Sequence, residues 1–428
     1  MNKNIKLAVA GAILATASVA NAGILIPAGD WTVDISGNVN TYANWTKLNG
    51  TSTINSAVGV SVGAGKNTTA GFGNGLLPNF LSVGGTTRQN DLDVSFTISI
   101  QPGSSHNTPL GVGADGGINN RQSFITFGDK SWGSVLVGKN IGLFGQDAIL
   151  SDMTLLGVGA GTAGFGNTSL GRIGYGYIYA DWKPMIAYTT PNMSGFQASV
   201  GVSQAFKSTN VTNNSPTTLM ASSLTNASPA YEGKASYSFA ANDVTGKIWV
   251  SGIAQRIGSF NGNALAANSV GLENQDPVAY AGDIGANVNF AGFGLTGNYY
   301  SGTGIGITGQ FADGYGINTT TSKINGRDSS GGYVQATYVL PTKTKVGVSW
   351  GISTLDRADG ETNATTAGTT NMVVGNLVKE QAMWTAGVYH PLTKHLNLVA
   401  EYNHSTSENQ AGQENKSNNG SLGAILFF

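Results

Sequence analysis

Four histidines, His106, His390, His395 and His404, are the side chains here best suited to proton transfer near neutral pH. His106 falls in a predicted loop, and His390 and His395 flank a predicted short turn. No serine or aspartate stands beside them in a nucleophile pattern, and the chain has no cysteine. Hydrolysis needs a nucleophile and a base within reach of each other, so an enzyme is not expected. Asp356, Asp359 and Glu361 offer oxygen ligands for a weakly held Ca²⁺, but 355–378 reads first as a solvated acidic loop. No phosphate-cradling loop, metal-ligand cluster or basic patch is present, so neither a cofactor nor nucleic acid is implied. What remains is chemistry by field, in which single charges act on their surroundings without making or breaking bonds.

The composition suits such a role. Only 11% of the 428 residues are charged, 62 are glycine, and the formal net charge is −1. Residues 1–22, MNKNIKLAVAGAILATASVANA, read as a secretory signal peptide. Lys3 and Lys6 form its basic start, Leu7 to Ala20 its apolar run, and Ala20-Asn21-Ala22 its cleavage site. That leaves 23–428 as a single domain. No later stretch of 18 apolar residues occurs, so no transmembrane helix is expected.

The elements that must position the charges follow a period of two. In 33–45, Val33, Ile35, Val39 and Trp45 share one face, opposite Asp34, Ser36, Asn38, Asn40 and Asn44. In 231–239, Glu232 and Lys234 lie opposite Tyr231, Tyr237 and Phe239. Asp283, Asn287 and Asn289 lie opposite Tyr280, Ile284, Val288 and Phe290. Short turns alternate with long Gly/Asn/Thr/Ser-rich loops, among them 48–78, 207–229, 304–329 and 355–378. Sixteen strands are expected, the first at 31–47, the sixth at 172–190 and the last two at 395–405 and 418–428. A soluble sandwich would share the alternation. The exported start, the two unequal ends and strands of about ten residues favour an all-β, 16-stranded antiparallel transmembrane β-barrel. Only a closed barrel lets a sheet satisfy its backbone in lipid. One of this size encloses water.

One long connection differs. Residues 141–171 carry Phe144, Ile149, Leu150, Met153, Leu155, Leu156 and Phe165. A loop in open water has no use for them, so this loop is expected to fold inward and pack on the wall. Pro184, within the sixth strand, implies a bulge or edge there.

The stretch NRQSFITFGDKSWGSVLVGKN (120–140) resembles the strand pair before the constriction loop of the general, non-specific Gram-negative outer-membrane porins, a trimeric 16-stranded type. SDM (151–153) matches the acid-bearing part of that loop, and GRIGYGYIYADW (171–182) with GFQASVGVSQAF (195–206) matches the strands after it. The resemblance implies a pore constriction with Asp152 as the loop acid, Arg121 and Arg172 as wall bases, and Lys139 at the loop base. A field between such groups orients dipolar solutes and sets ion selectivity. Arg172 would point inward while Ile173, Tyr175 and Tyr177 face lipid. For Arg121 the alternation is less clean, since Ile125 and Phe127 would then also point inward. A second loop acid is missing: its place is Leu156. Expected wall bases fall near Asn38 and Phe80, with Arg88 at a turn instead. The apolar, glycine-rich 154–166 lines part of the constriction on this reading. Passive diffusion of small hydrophilic solutes and ions with weak charge selectivity is the implied function, in a homotrimer embedded in outer-membrane lipid. A structural or adhesive surface protein is the alternative.

The last residues, SLGAILFF, put Leu422, Ala424, Leu426 and Phe428 on the lipid face and Ser421, Gly423, Ile425 and Phe427 on the other. The last strand then pairs with the first. A terminal Phe also resembles the signal read by outer-membrane assembly machinery. Deleting Phe428 is expected to lower the yield of folded barrel and to leave the conductance of assembled molecules unchanged. The folded-to-unfolded ratio in extracted membranes, beside single-channel recordings, checks this.

Overall fold

The computed structural model describes residues 23–52, 54, 56, 67–104, 117–161, 167–208, 228–258, 275–318, 321, 323–361, 364–366, 369–371 and 374–428. The proposed signal peptide, His106 and Phe165 lie outside the described residues.

Sixteen antiparallel strands close into a barrel. They are β1 (Trp31–Asn49), β2 (Thr68–Gly73 continued by Phe80–Gln89), β3 (Leu92–Pro102), β4 (Ile118–Asp129), β5 (Gly133–Ile141), β6 (Trp182–Thr189), β7 (Phe196–Ser203) and β8 (Ala230–Ala241). The second half comprises β9 (Val244–Arg256), β10 (Val278–Phe290), β11 (Phe293–Thr303), β12 (Asp328–Val339), β13 (Lys345–Leu355), β14 (Val378–Pro391), β15 (Leu396–Asn409) and β16 (Glu414–Phe427). Each strand pairs with its neighbours in sequence, and β16 returns to β1, from Asn38 opposite Phe427 to Asn49 opposite Lys416.

Phe428 extends that seam. Gly37 N donates to Phe428 O at 2.8 Å, and Phe428 N donates to Gly37 O at 3.0 Å. A further strand, Ile24–Ala28, pairs with Trp31–Ile35. The other edge of those residues is occupied by β2, so this strand continues the edge that β16 holds. The predicted alternation of the last strand is met: Leu422 and Leu426 are exposed, while Ser421, Ile425 and Phe427 are buried. Along the wall, Val39, Trp45, Ile98, Tyr231, Tyr280 and Ile284 are exposed on one face; Asn38, Asn44, Ser99, Glu232 and Asp283 are buried on the other.

Several expectations change. The sixth strand begins at Trp182 and not at 172. Its supposed first half, GRIGYGYIYAD, alternates in sequence but not in conformation: Gly171, Gly174 and Gly176 all have positive φ, at 53°, 81° and 137°. Left-handed residues turn the chain where a strand would run straight, and Ile173, Tyr175 and Tyr177 are buried instead of facing lipid. No bulge occurs at Pro184, which sits at the start of β6, opposite Lys139, where its carbonyl accepts from Gln204 N at 2.8 Å. The last two strands are longer than expected and leave only residues 410–413 between them.

Register shifts occur between Val378 and Glu380 in β14 and, as a bulge, in β4. Ser99 faces Gln122 and Ile100 faces Asn120, so Arg121 is the extra residue. A bulge re-aims one side chain and shifts the alternation beyond it. That removes the conflict in the sequence: Ile125 is exposed on the outer face while Arg121 is buried.

The seam is tight at Gly37, where a Cβ would lie 2.2 Å from Phe80 O and 2.9 Å from Cζ of Phe428. Gly37→Val is expected to cost about 1–3 kcal/mol of barrel stability through overpacking. Gly71→Ala, where a Cβ meets nothing within 4 Å, should be near neutral. The temperature at which the folded band is lost in semi-native electrophoresis measures both.

Candidate functional site

The segment 142–181 between β5 and β6 is the longest connection whose structure is nearly complete. Its apolar residues decide its shape. Phe144, Ile149, Met153, Leu156, Val158, Leu170, Ile173, Tyr175 and Tyr177 are all buried. Its described residues hold one short helix, α1 (Gln146–Leu150), and a single 3₁₀ turn at Met153–Leu156. Asp152 caps that turn, its carboxylate accepting from Thr154 N at 3.0 Å, as N-cap aspartates do.

Two glutamates on distant strands hold the segment. Glu232 on β8 accepts from Leu143 N at 2.8 Å and Phe144 N at 3.1 Å, while its other oxygen takes Lys183 Nζ at 2.5 Å and Ser203 Oγ at 2.7 Å. Glu401 on β15 accepts from Val158 N at 2.8 Å and Gly159 N at 2.9 Å, and from Tyr389 OH at 2.7 Å. Each buried carboxylate is thus saturated by charge-assisted hydrogen bonds, which makes its burial tolerable. Gly157 is required beside the second: a Cβ there would lie 1.9 Å from Glu401 Oε1.

Further ties come from β1, β12, β13 and β14. Tyr42 OH donates to Leu156 O at 2.7 Å. Tyr333 OH donates to Ala148 O at 2.8 Å, and Gln335 accepts from Met153 N at 2.6 Å. Gly176 N donates to Ser353 Oγ at 3.0 Å.

The four residues expected at the constriction are dispersed. Asp152 and Arg172 do come together, with Arg172 Nε 3.9 Å from Asp152 Oδ1, but both side chains have no exposure. Arg172 is not a wall base; it belongs to the segment itself and donates to the wall, to Met383 O at 2.9 Å, Thr385 Oγ1 at 3.0 Å and Ser349 Oγ. Asp152 also accepts from Tyr177 OH at 2.9 Å. Arg121 lies elsewhere, its guanidinium carbon 5.9 Å from the Trp182 ring centroid. Its charge acts on Asp181 nearby, whose carboxyl is pushed up by burial against the opposing pull of Trp182 N–H, Lys183 and Arg121. Lys139 faces Ser123 and Pro184 across the ladder. Both of those are exposed on the outer face, so the register directs Lys139 away from the segment, and its ammonium donates to Asn120 O at 2.7 Å.

A different charged group contacts the segment and keeps access to water. Asp147 on α1 pairs with Lys247 and, at 3.3 Å, with Lys234. The lysine side chains are 30% and 19% exposed, against 7% for Asp147. Burial alone would raise the Asp147 carboxyl, but the two ammonium groups outweigh it and hold it below the ordinary carboxylate range. The alternation had already put Lys234 on the polar face; nothing in the local sequence marked Asp147 as its partner.

A second segment was also missed. In 304–318, Ile305, Ile307, Phe311 and Tyr315 are buried, and the first, third and fourth share an apolar cluster with Phe144 and Ile178. Tyr179 N donates to Thr308 O at 2.9 Å, and Gln310 Nε2 to Ala180 O at 3.0 Å. The spacing of large apolar residues among the glycines of GIGITGQFADGYGI was the available signal. Glu361, expected in a solvated acidic loop, is buried in a two-point pair with Arg327, Nε to Oε2 at 2.9 Å.

A family model for Gram-negative porins matches residues 8–410. The chain belongs to the Gram-negative porin family. No curated protein matches it. Among solved structures, the fold is similar to the outer membrane channel DcaP of Acinetobacter baumannii, with 15% identity over 95% of this chain and 100% of that one, at a TM-score of 0.66. It is also similar to an anion-selective porin from Comamonas acidovorans, with 14% identity, 93% and 100% coverage and a TM-score of 0.58. OmpF of Salmonella typhi, in complex with daunomycin, gives 14% identity, 95% and 100% coverage and a TM-score of 0.55. These likenesses concern the fold. A porin is a channel-type protein of the outer membrane and not an enzyme.

In this porin, Glu401→Ala leaves Val158 N, Gly159 N and Tyr389 OH without their acceptor. Leaving one buried donor unpaired costs about 1–3 kcal/mol. The variant is expected to keep the barrel while freeing the middle of the segment, with noisier and larger current steps than wild type. Single-channel recordings beside a thermal unfolding curve check this.

Proposed function

We propose that this porin forms a water-filled channel for passive diffusion of small hydrophilic solutes and ions, narrowed by the segment 142–181 folded into the lumen. The observation that carries the reading is the set of partners of that segment. They are polar-face residues on β1, β8, β9, β12, β13, β14 and β15. A chain that reaches so many parts of one face of a closed sheet crosses the space that face encloses. The segment 304–318, packed on it, narrows the path further.

Within this reading, Asp152 and Arg172 set the shape of the constriction from within the loop, and Arg121 contributes a wall charge beside Trp182. Lys139 stands at the loop base with no direct part. The charges that act on passing ions are Lys234, Lys247 and Asp147. Cation and anion are mixed over one small area, so their fields partly cancel and selectivity is weak. Residues 1–22 act as a cleaved signal peptide, the short turns face the periplasm, Phe428 serves the assembly machinery, and the barrel works as a homotrimer.

Planar-bilayer recording tests the reading. Stable open-pore steps with a small reversal potential in a salt gradient are expected, and Lys234→Gln with Lys247→Gln should move that potential toward cation preference. Strong selectivity of the wild type contradicts the charge assignment. Absence of any steps favours the structural or adhesive alternative.

A further inference from the structure

The outer face carries a groove that the channel does not use. It spans β10 to β14 and is shallow and open, with a volume of about 680 Å³. Its floor is made of small residues, Ala286, Gly297 and Ala336, and Leu295, Trp350 and Trp384 stand around it. The three large side chains are exposed, at 47%, 48% and 42%, which places the groove on the lipid side of the wall.

Its depth follows from the chain. Val348, also in the lining, lies five residues beyond Lys343 in the turn from β12 to β13. At about 3.3 Å per residue that is roughly 17 Å of strand, or about 12 Å of depth for a strand tilted near 45°, of which about 5 Å lies beyond Val346, the residue that faces Tyr338. Half of the hydrocarbon core is about 15 Å. The groove therefore lies at acyl-chain depth, in the leaflet next to the short turns. The level of the interface is marked by Phe290, Phe293 and Tyr338, whose rings gather at 5.7 Å and 4.5 Å between centroids. Aromatic clusters of this kind sit at the headgroup boundary.

The charge at that boundary is uneven. The turns below the groove, 291–292, 340–344 and 392–395, carry Lys343 and Lys394, both exposed, and no carboxylate. On the far side of the same end, Asp91, Asp93 and Asp129 outnumber Arg88 and Lys130, while Asp243 lies at the β10 edge of the groove, next to Val244, which faces Phe290. We infer that the groove binds an anionic diacyl phospholipid, with one acyl chain over Gly297 and Ala336 and the headgroup phosphate between Lys343 and Lys394. The inference rests on the membrane-spanning barrel and not on channel activity, so a protein without conductance would still test it.

The probe is brominated phosphatidylglycerol, with brominated phosphatidylcholine as control, titrated into phosphatidylcholine vesicles holding the full-length protein. Bromine quenches tryptophan emission on contact. The signal of the groove is the difference between wild type and a W350F/W384F variant. Half-quenching is expected at a roughly 25-fold lower mole fraction of the anionic lipid, about fivefold for each of the two lysines. Replacing Lys343 and Lys394 by Gln should remove roughly fivefold of that preference per lysine. Gly297→Leu should abolish it by filling the groove; a Cβ there meets only Tyr333 O, at 4.0 Å, so the barrel itself is not strained. Equal quenching by both headgroups, or an unchanged Gly297→Leu, overturns the proposal. Quenching that falls as the protein-to-lipid ratio rises shows that a second copy covers the groove, and tight retention of lipopolysaccharide at the same tryptophans shows a different lipid; either result also overturns it.

Discussion

Every peptide group of a strand in hydrocarbon has to find its partner within the protein. Here that demand is met by closing the sheet along the seam of β1 and β16, from Asn49 with Lys416 to Gly37 with Phe428. The remainder of the wall follows from this. Once the first and last strands are joined, each of the others has two neighbours, and the alternation of side chains sorts itself into an outer apolar face and an inner polar one. The inner face then has more hydrogen-bonding capacity than neighbouring strands take up between themselves, as Thr385 does with Asn403 and Ser251 with Asp283. The segment 142–181 uses it: its backbone is held by Glu232, Glu401, Tyr42, Tyr333 and Gln335, all from the polar rows of the strands.

The barrel was legible because a strand between lipid and water repeats every two residues, and that repeat survives in stretches such as 231–239 and 421–428. It misled at 172–181 for the same reason. Glycine alternating with Ile and Tyr copies the pattern, while the positive φ values of those glycines are invisible in composition. The site was less legible than the fold. Asp152 is expected as the loop acid of a constriction; in the structure its carboxylate is buried, caps a turn and lies beside Arg172 and Tyr177. Which lysine meets which carboxylate depends on how far α1 lies over β8 and β9. That is a tertiary fact, set by the burial of Phe144 and Ile149, and no local motif encodes it.

The segments 142–181 and 304–318 also differ in how they are held. The first is fixed mainly by wall side chains bonding its backbone. The second is fixed by apolar packing against the first and by the buried Arg327–Glu361 pair. A pair of this kind contributes little net stability once desolvation is counted, but removing one member strands the other charge. Position, more than strength, is what it supplies.

The bulge at Arg121 has a consequence for how this wall can vary by descent. Because β4 holds one residue more than β3 over the same height, loss of that single codon would restore an even ladder instead of breaking one. Elsewhere in a strand, a one-residue deletion turns every later side chain to the wrong side. At this position the wall could lose a positive charge without frameshift of its faces, which makes it a point where lineages can gain or shed charge in a single mutational step.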